Sequence, residues 1–308
     1  MTAINAQSDR RSQPLPSPVP RLYQSMRTAL NGLGWLAPGL TGRILNRLWF
    51  TPYHGKPSPK AQAFWRSADR HHDLTMPWGR QRLYAWGDAS APLLIAVHGW
   101  LGSGSQFRHW VPALVESGYH VVVMDMPGHG YNKTRQTDLY EFARVLRATT
   151  ELLGNPQGVM AHSIGSQAVI QALALGMTTE QMVLLAPGLN IQAVVDHFCT
   201  MMSISPRVRT AFEARLHNYS IDLAERHLGE PISIWERLGH DFARDYLRYP
   251  GLMITDQDDL EIPQSDFAMI HKNWPQAERI TTTGLGHYRI LKDATVGERV
   301  IDFFRQSR

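Results

Sequence analysis

The stretch that decides the fold is Gly158-Val159-Met160-Ala161-His162-Ser163-Ile164-Gly165. An apolar run precedes its serine and an apolar segment with helical spacing follows it, which predicts a strand, a sharp turn and a helix. Such a turn needs small residues on both sides, and Ala161 and Gly165 satisfy that need. The turn would lift the Ser163 hydroxyl above the sheet and aim the Ile164 N–H at a developing oxyanion. On this motif alone, the alternative is a serine that only caps the helix.

Strands and helices alternate on both sides of this stretch. Leu93–Val97 is a continuous apolar run, typical of a strand that is buried on both faces. Repeated alternation of this kind predicts an α/β fold, with a mostly parallel sheet covered by helices. The predicted strands are 82–86, 93–97, 119–124, 158–161, 182–185, 252–255 and 279–283, and the predicted helices are 107–117, 139–153, 166–176 and 296–305.

The alternation is interrupted once, after Pro187-Gly188. Residues 190–249 look helical throughout, and the strand pattern then resumes. Because the strands on both sides belong to one sheet, we expect a helical cap inserted at about 190–249 into a single domain of residues 82–308. An apolar stretch beside its first helix either packs the core of the cap or lines an apolar acyl pocket. Its residues are Val194, Val195, Phe198, Cys199, Met201 and Met202.

A second loop follows the first buried strand and reads His98-Gly99-Trp100-Leu101-Gly102. Gly99 permits close approach of the backbone, so the Trp100 N–H is the candidate second donor to an oxyanion. His98 lies beside that donor, and we expect it to orient the loop rather than to act as a base. Taken by itself, the stretch is equally consistent with an ordinary glycine-rich turn.

A serine hydroxyl is a weak nucleophile and needs an adjacent base that is oriented by a third group. The candidate base is His287, in the glycine-flanked stretch Gly284–Tyr288 after the last predicted strand. A loop there lies at the carboxyl edge of the sheet, where it can bring an imidazole to Ser163.

The acid is expected in the loop after the preceding strand, which carries several carboxylates. Asp259 stands four residues before Pro263 at the start of the next helix and is the first choice, with Asp258 and Asp256 as alternatives. The resulting order of serine, aspartate and histidine along the chain is the order expected of a nucleophile, acid and base on this type of sheet.

These motifs together resemble the α/β-hydrolase superfamily over roughly residues 82–308, and the stretch from Trp274 to Leu291 is similar to a bacterial, esterase-like branch of serine hydrolases. Ala161 departs from the usual glycine of the serine turn, without removing the small side chain that the turn needs. The resemblance implies cleavage of carboxylic esters through an acyl-serine intermediate, with no metal or cofactor. The residues that it implies are Ser163, Asp259 and His287 for catalysis and the Trp100 and Ile164 backbone for the oxyanion.

Three other functions remain open on the sequence, and one of them is a perhydrolase, which shares the same three side chains and depends on the loop around Trp100. A thioesterase or an acyltransferase would use the same three side chains, and a non-catalytic protein of this fold would bind a ligand without cleaving it. The substrate that we expect is a small ester with an apolar acyl group. A nucleic-acid partner is disfavoured, because the excess of Lys and Arg over Asp and Glu is confined to one segment without a stacking motif.

The 308-residue chain has a formal net charge of +4, and that charge is unevenly distributed. Residues 1–82 hold 12 Lys and Arg against 3 Asp and Glu, a net charge of +9, and the remainder carries −5. The single cysteine, Cys199, excludes an intramolecular disulfide and a thiolate metal cluster.

The basic segment divides into two parts. Residues 1–20 are polar and proline-rich, which predicts a disordered tail without a secretory signal, and hence a cytoplasmic protein. Residues 21–81 form a basic arm, with two short amphipathic helices within 22–50. The arm either packs on its own domain or also contacts a membrane, in which case the protein would be peripheral at the inner membrane surface.

Overall fold

The computed structural model describes residues 21–52, 57–132 and 136–306, with side chains described from residue 27 onward. The predicted disordered tail, residues 1–20, lies outside these ranges. Eight strands form one sheet in the order β1-β2-β4-β3-β5-β6-β7-β8, in which β2 pairs antiparallel with β1 and β4 and all other pairs are parallel. The predicted mostly parallel sheet is therefore confirmed. The strands are β1 (Arg70–Met76), β2 (Gly79–Trp86), β3 (Leu93–Val97), β4 (His120–Val123), β5 (Gly158–His162), β6 (Gln181–Leu185), β7 (Gly251–Asp256) and β8 (Glu278–Thr282).

Thirteen α-helices and one 3₁₀ helix, Gly104–His109, lie in the described residues. Their bounds are α1 (Arg21–Leu36), α2 (Pro38–Trp49), α3 (Pro59–Arg66), α4 (Val111–Glu116), α5 (Leu139–Leu153), α6 (Gly165–Ala174), α7 (Ile191–Met201), α8 (Pro206–Leu228), α9 (Ile234–Arg237), α10 (His240–Arg244), α11 (Gln264–Asn273), α12 (Gly286–Arg289) and α13 (Ala294–Arg305). Within this part of the chain, no helix is both long enough and apolar enough to cross a bilayer.

The sheet starts earlier than the sequence indicated. β1 lies inside the segment assigned to the arm, so the boundary at residue 82 is wrong and the sheet begins at Arg70. β1 is an edge strand in which only Met76 is buried. It is held by hydrogen bonds to β2 rather than by burial, so its sequence lacks the alternation of apolar and polar residues that predicts a strand.

The predicted helix 107–117 is in fact two helices. The 3₁₀ helix ends at His109 and α4 starts at Val111, with Pro112 in its first turn. Proline has no N–H to donate, so it interrupts a continuous helix but is well tolerated at a helix start.

Both faces of the sheet are covered, as its apolar strands require. Along β3, Ile95 belongs to one apolar cluster, with Phe142 of α5 and Val169 of α6. The neighbouring Leu94 belongs to the opposite cluster, with Phe304 of α13. Alternate residues of a strand point to opposite faces, which explains why β3 is apolar at every position.

Four helices, α7 to α10, lie between β6 and β7, and we call this segment (residues 190–249) the insertion. The arm helices α1 and α2 pack against it. A Cβ on Gly42 would lie 2.7 Å from the carbonyl oxygen of Ala211 in α8, so the two helices touch at backbone distance. Trp49, at the end of α2, contacts Phe198 of the insertion edge to face, with ring centroids 5.2 Å apart.

Candidate active site

Ser163 occupies the turn between β5 and α6, and its backbone is strained. Its φ of +55° is unusual for a residue with a side chain. The Ser163 N–H donates to the carbonyl of Leu185 at 3.0 Å, and its own carbonyl accepts from the Gly188 N–H at 3.0 Å. These bonds hold the turn in its strained form, and the Ser163 side chain remains partly exposed.

Two glycines allow the loop after β3 to pack on this turn. A Cβ on Gly165 would lie 2.6 Å from the His98 carbonyl oxygen. A Cβ on Gly99 would lie 2.8 Å from the Cβ of Ser163. The backbone around Trp100 is therefore brought next to Ser163, where the sequence placed an oxyanion donor.

The imidazole of His287 joins the serine to a carboxylate. Its Nε2 lies 2.9 Å from the Ser163 Oγ, and its Nδ1 lies 2.8 Å from the Oδ2 of Asp259. Because an ionised carboxylate can only accept, we assign the proton of neutral His287 to Nδ1, which leaves Nε2 free to accept from the serine hydroxyl. The structure thus brings together the three side chains that the sequence singled out.

Asp259 is buried and is held by more than the histidine. Its Oδ1 accepts from the backbone N–H groups of Glu261 at 2.8 Å and Ile262 at 3.0 Å. Burial by itself raises the pKa of Asp259, but the hydrogen bond and charge of His287, with these two N–H groups, outweigh burial and hold the pKa below its usual value. The carboxylate therefore stays ionised beside the imidazole.

The two alternative acids have other partners. Asp256 is fully buried, and its Oδ2 accepts from the Thr282 hydroxyl at 2.7 Å and the Leu285 N–H at 3.0 Å. The exposed Asp258 accepts from the Gly284 N–H at 2.7 Å through its Oδ2. Both carboxylates thus hold the segment that leads to His287, without contacting its ring.

His287 itself lies in the single turn of α12, where the sequence predicted a loop. The backbone carbonyl of His287 accepts a hydrogen bond from the Nε2 of His162, at 2.8 Å. Burial lowers the pKa of His162 to about 3, so this ring is neutral and donates its one proton there. His162, next to the serine, therefore ties the serine turn to the histidine turn.

The backbone N–H groups of Trp100 and Ile164 make no hydrogen bond within the described part of the chain. Ile164 precedes α6, so its N–H lies at the positive end of that helix. The Trp100 indole stacks on Phe142 with ring centroids 6.0 Å apart, which anchors the loop from its other side. Both N–H groups are free to receive an anionic oxygen.

His98 orients the loop, as the sequence indicated. Its Nε2 accepts from the Met126 N–H at 2.9 Å, and its Nδ1 donates to the Gly99 carbonyl at 2.7 Å. Burial lowers the pKa of His98 to about 4, so the ring is neutral at pH 7.

Sequence reasoning missed the supporting roles of His129 and Asp125. His129 accepts from the Leu101 N–H at 3.0 Å, and Asp125 accepts from the Ser103 hydroxyl at 2.8 Å and the Gly104 N–H at 2.9 Å. No local pattern in the sequence signals these roles, because the bonds join segments more than 20 residues apart.

Glu261 was also missed. Its Oε2 lies 3.6 Å from the Nε2 of His287 and accepts from the Tyr288 hydroxyl at 3.1 Å. A second carboxylate therefore stands on the serine side of the imidazole. Only its position three residues after Asp258, in a carboxylate-rich loop, could have drawn attention to it.

A different group of residues has the spacing for a metal ion. Asp138, Glu141 and His227 place ligand atoms within 4.8 Å of one another, where α5 meets α8. The Arg144 guanidinium lies 3.4 Å from the Nδ1 of His227 and already supplies positive charge to this cluster. None of these residues contacts Ser163, so the cluster is separate from the candidate active site.

Comparison with known proteins supports the fold. A family described as alpha/beta hydrolase fold matches residues 92–195, which contain Trp100 and Ser163. The human serine hydrolase-like protein is 34% identical over 100 residues, which cover 30% of this chain and 47% of that protein. The chain spans less than half the length of the curated relatives that it matches first.

Solved structures cover more of the chain at lower identity. An esterase from Pyrococcus furiosus superposes with a TM-score of 0.60 at 16% identity, over 83% of this chain and 97% of the esterase. A thioesterase domain from the curacin biosynthetic pathway gives 0.53 at 17% identity, over 77% of this chain and 99% of that domain. The shared fold and the family match together show that this chain has the α/β-hydrolase fold.

Proposed function

We propose that the protein is a serine hydrolase that cleaves carboxylic esters through an acyl-serine intermediate. The observation that carries this proposal is the unbroken hydrogen-bonded path from the Ser163 Oγ through His287 to Asp259, with both distances below 3 Å. A partly exposed serine on a strained turn, with two unpaired N–H groups next to it, is the arrangement that acyl transfer requires.

In the acylation step, the Ser163 Oγ attacks the ester carbonyl carbon while the Nε2 of His287 takes the hydroxyl proton. The carbonyl oxygen becomes an oxyanion and accepts hydrogen bonds from the Trp100 and Ile164 N–H groups. The bond from carbon to the alcohol oxygen then breaks, and the imidazolium returns the proton to the leaving alcohol. Asp259 stabilises the imidazolium between these two transfers.

In the deacylation step, water takes the place of the alcohol. His287 removes a proton from the water as its oxygen attacks the acyl carbon, and the bond to the Ser163 Oγ breaks with return of that proton to the serine. The products are a carboxylic acid and the free enzyme.

An apolar acyl group is the proposed substrate feature. Leu101 and Leu260, neighbours of Trp100 and Asp259 in sequence, are 57% and 88% exposed and give the loops around the serine an apolar edge. Two apolar residues of the insertion have the packing role, one of the two roles that the sequence left open. Val195 is buried in the core, and Phe198 packs against Trp49.

A thioesterase is the second candidate, since one superposed structure is a thioesterase domain. A thioester passes through the same acyl-serine, so the two functions differ only in the leaving group. An acyltransferase would replace water by another nucleophile at deacylation.

The test uses a fluorophosphonate probe, which reacts only with an activated serine, together with oxygen-ester and thioester substrates of two to twelve carbons. We expect labelling of the wild type and its loss in Ser163→Ala, with hydrolysis falling by at least about 10³-fold. Ser166→Ala is the matched control, because the buried Ser166 hydroxyl has no partner within the described residues. If the folded wild type neither reacts with the probe nor cleaves any of these substrates, the proposal is wrong and the non-catalytic, ligand-binding alternative stands in its place.

A further inference from the structure

The outward face of the arm is apolar where a helix in water would be polar. Trp35 and Leu36, at the end of α1, are each 73% exposed, and Leu40, at the start of α2, is 50% exposed. Leu48 is also exposed, two turns further along α2. We call these residues, with the exposed Arg43 and Arg47, the arm face.

The arm face is not needed to hold the arm in place. Leu30, Gly34, Gly42 and Leu45 are buried on the other side of the two helices, toward the insertion. A Cβ on Gly34 would clash with Val208 of α8, which shows how closely that side packs. The arm is therefore apolar on two sides, and only one of them has a partner in the described chain.

The charge around the arm face has a single sign. Arg43 and Arg47 lie one helical turn apart, between Leu40 and Leu48. From residue 10 to residue 68 the sequence holds nine Lys and Arg and no Asp or Glu. A second protein would need an acidic and apolar surface of matching shape, whereas an anionic lipid bilayer offers both features without a shaped partner.

We propose that the arm face binds the surface of an anionic phospholipid bilayer. Trp35 lies at headgroup depth, Leu36 and Leu40 enter the boundary of the acyl chains, and Arg43 and Arg47 bind lipid phosphates. Tryptophan and arginine are the side chains suited to that boundary, because each combines an apolar part with a polar end. This binding does not depend on the proposed esterase activity.

The test is flotation of the full chain with vesicles of phosphatidylcholine alone or with 30% phosphatidylglycerol. We expect binding to the anionic vesicles that weakens as salt is raised. Leu36→Ser with Leu40→Ser, and separately Arg43→Gln with Arg47→Gln, should each lower the partition constant at least about fivefold. Leu152→Ser is the matched control, because Leu152 is also 50% exposed but lies at the end of α5, outside the arm face.

Two results would overturn the proposal. Equal flotation of the wild type and the leucine variant would show that the arm face does not enter lipid. A lipid-free wild type that is dimeric by ultracentrifugation, with a monomeric leucine variant, would show that a second copy covers the face instead. Circular dichroism of each variant establishes that it is folded before either result is read.

A second inference concerns Glu261, and it rests on the proposed function. Glu261 and Ser163 both lie within 3.6 Å of one nitrogen, the Nε2 of His287. The Tyr288 hydroxyl holds the Glu261 carboxylate toward that side. An anionic group on a bound ester would therefore come close to a fixed negative charge in a site of reduced dielectric.

We infer that Glu261 makes the site selective for uncharged esters and against anionic ones. The same repulsion acts on the carboxylate product and speeds its release. Glu261 is thus a specificity-determining residue, distinct from Ser163 and His287, which carry the proton transfers, and from Asp259, which stabilises the imidazolium.

The test compares p-nitrophenyl hexanoate with mono-p-nitrophenyl adipate, which have equal chain lengths and differ by one carboxylate. Glu261→Gln should raise kcat/KM for the adipate relative to the hexanoate about tenfold and strengthen inhibition by hexanoate. Glu180→Gln should change neither the kcat/KM ratio nor the inhibition. The exposed Glu180 lies just before β6, at the amino ends of the parallel strands, whereas Ser163 follows the carboxyl end of β5. An unchanged ratio in a variant that still cleaves the neutral ester would refute the role of Glu261 and leave the esterase intact.

Discussion

At the scale of single residues, three aspartates around His287 are chemically alike but differ in position. Asp259 contacts the imidazole, Asp256 holds the Leu285 backbone, and Asp258 holds that of Gly284. Their identities therefore do not show which of them pairs with the imidazole of His287, whereas their hydrogen bonds do.

Asp259→Asn should lower kcat by about 10³–10⁴-fold, because an amide cannot stabilise the imidazolium and can favour the wrong tautomer of His287. KM should change little. Asp258→Asn keeps an acceptor for the Gly284 N–H and should lower kcat by less than about tenfold. Steady-state kinetics with one neutral ester distinguish the two, and equal losses would show that Asp259 has no special role.

The sequence predicts a site residue where the residues next to it in the chain are themselves constrained by its local geometry. The small residues around Ser163 and the glycines around His287 are local signals, and the structure brings those two side chains together. Glu261 and His129 carry no such signal, since their roles depend on distances across the fold.

At the scale of helices and strands, the packing of α2 on α8 depends on the lack of a side chain at one glycine. A Cβ at Gly42 would lie 2.7 Å from a backbone oxygen of α8, which cannot move aside as a side chain can. A Cβ at Gly39, in the same helix, would meet nothing within 4 Å.

Gly42→Ala should therefore destabilise the protein by about 1–3 kcal/mol, because α2 must shift away from α8. Gly39→Ala should be neutral or stabilising by up to about 1 kcal/mol, since alanine favours a helix over glycine. Thermal unfolding of the two variants beside the wild type measures the difference. Equal melting temperatures for the two variants would mean that the arm does not pack on the insertion as described.

Element bounds were predictable to the extent that burial leaves a pattern in the sequence. α5 has the predicted bounds, Leu139–Leu153, because one of its faces is apolar over four turns. β1 escaped prediction since hydrogen bonding to β2, not burial, makes it a strand.

At the scale of the whole molecule, the arm, the sheet domain and the insertion meet around a cavity of about 400 Å³. Phe50 from the arm, Trp78 from the β1–β2 turn, Glu141 from α5 and His227 from α8 all line it. One oxygen of Glu141 is buried without a hydrogen-bond partner in the described chain. Burial, and then the neighbouring charge of Asp138, raise the pKa of Glu141 to about 7.

This raised pKa makes the stability of the protein depend on pH, through the carboxyl group at the cavity where the three parts meet (the junction). Stability from the protonated Glu141 is fully present below the unfolded pKa of about 4.5 and is lost as pH rises through about 7. Glu141→Gln does not titrate, while Asp138, His227 and Arg144, which face the same carboxyl, are kept. The free energy of unfolding of the variant, relative to that of the wild type, should therefore rise by about 1–3 kcal/mol from pH 5 to pH 8. Urea unfolding at both pH values measures the gain, and Glu151→Gln, on the exposed side of α5, should show none. A stability difference that stays constant with pH would mean that Glu141 is ionised at the junction, so that the three parts of the molecule enclose a solvated carboxylate rather than a protonated one.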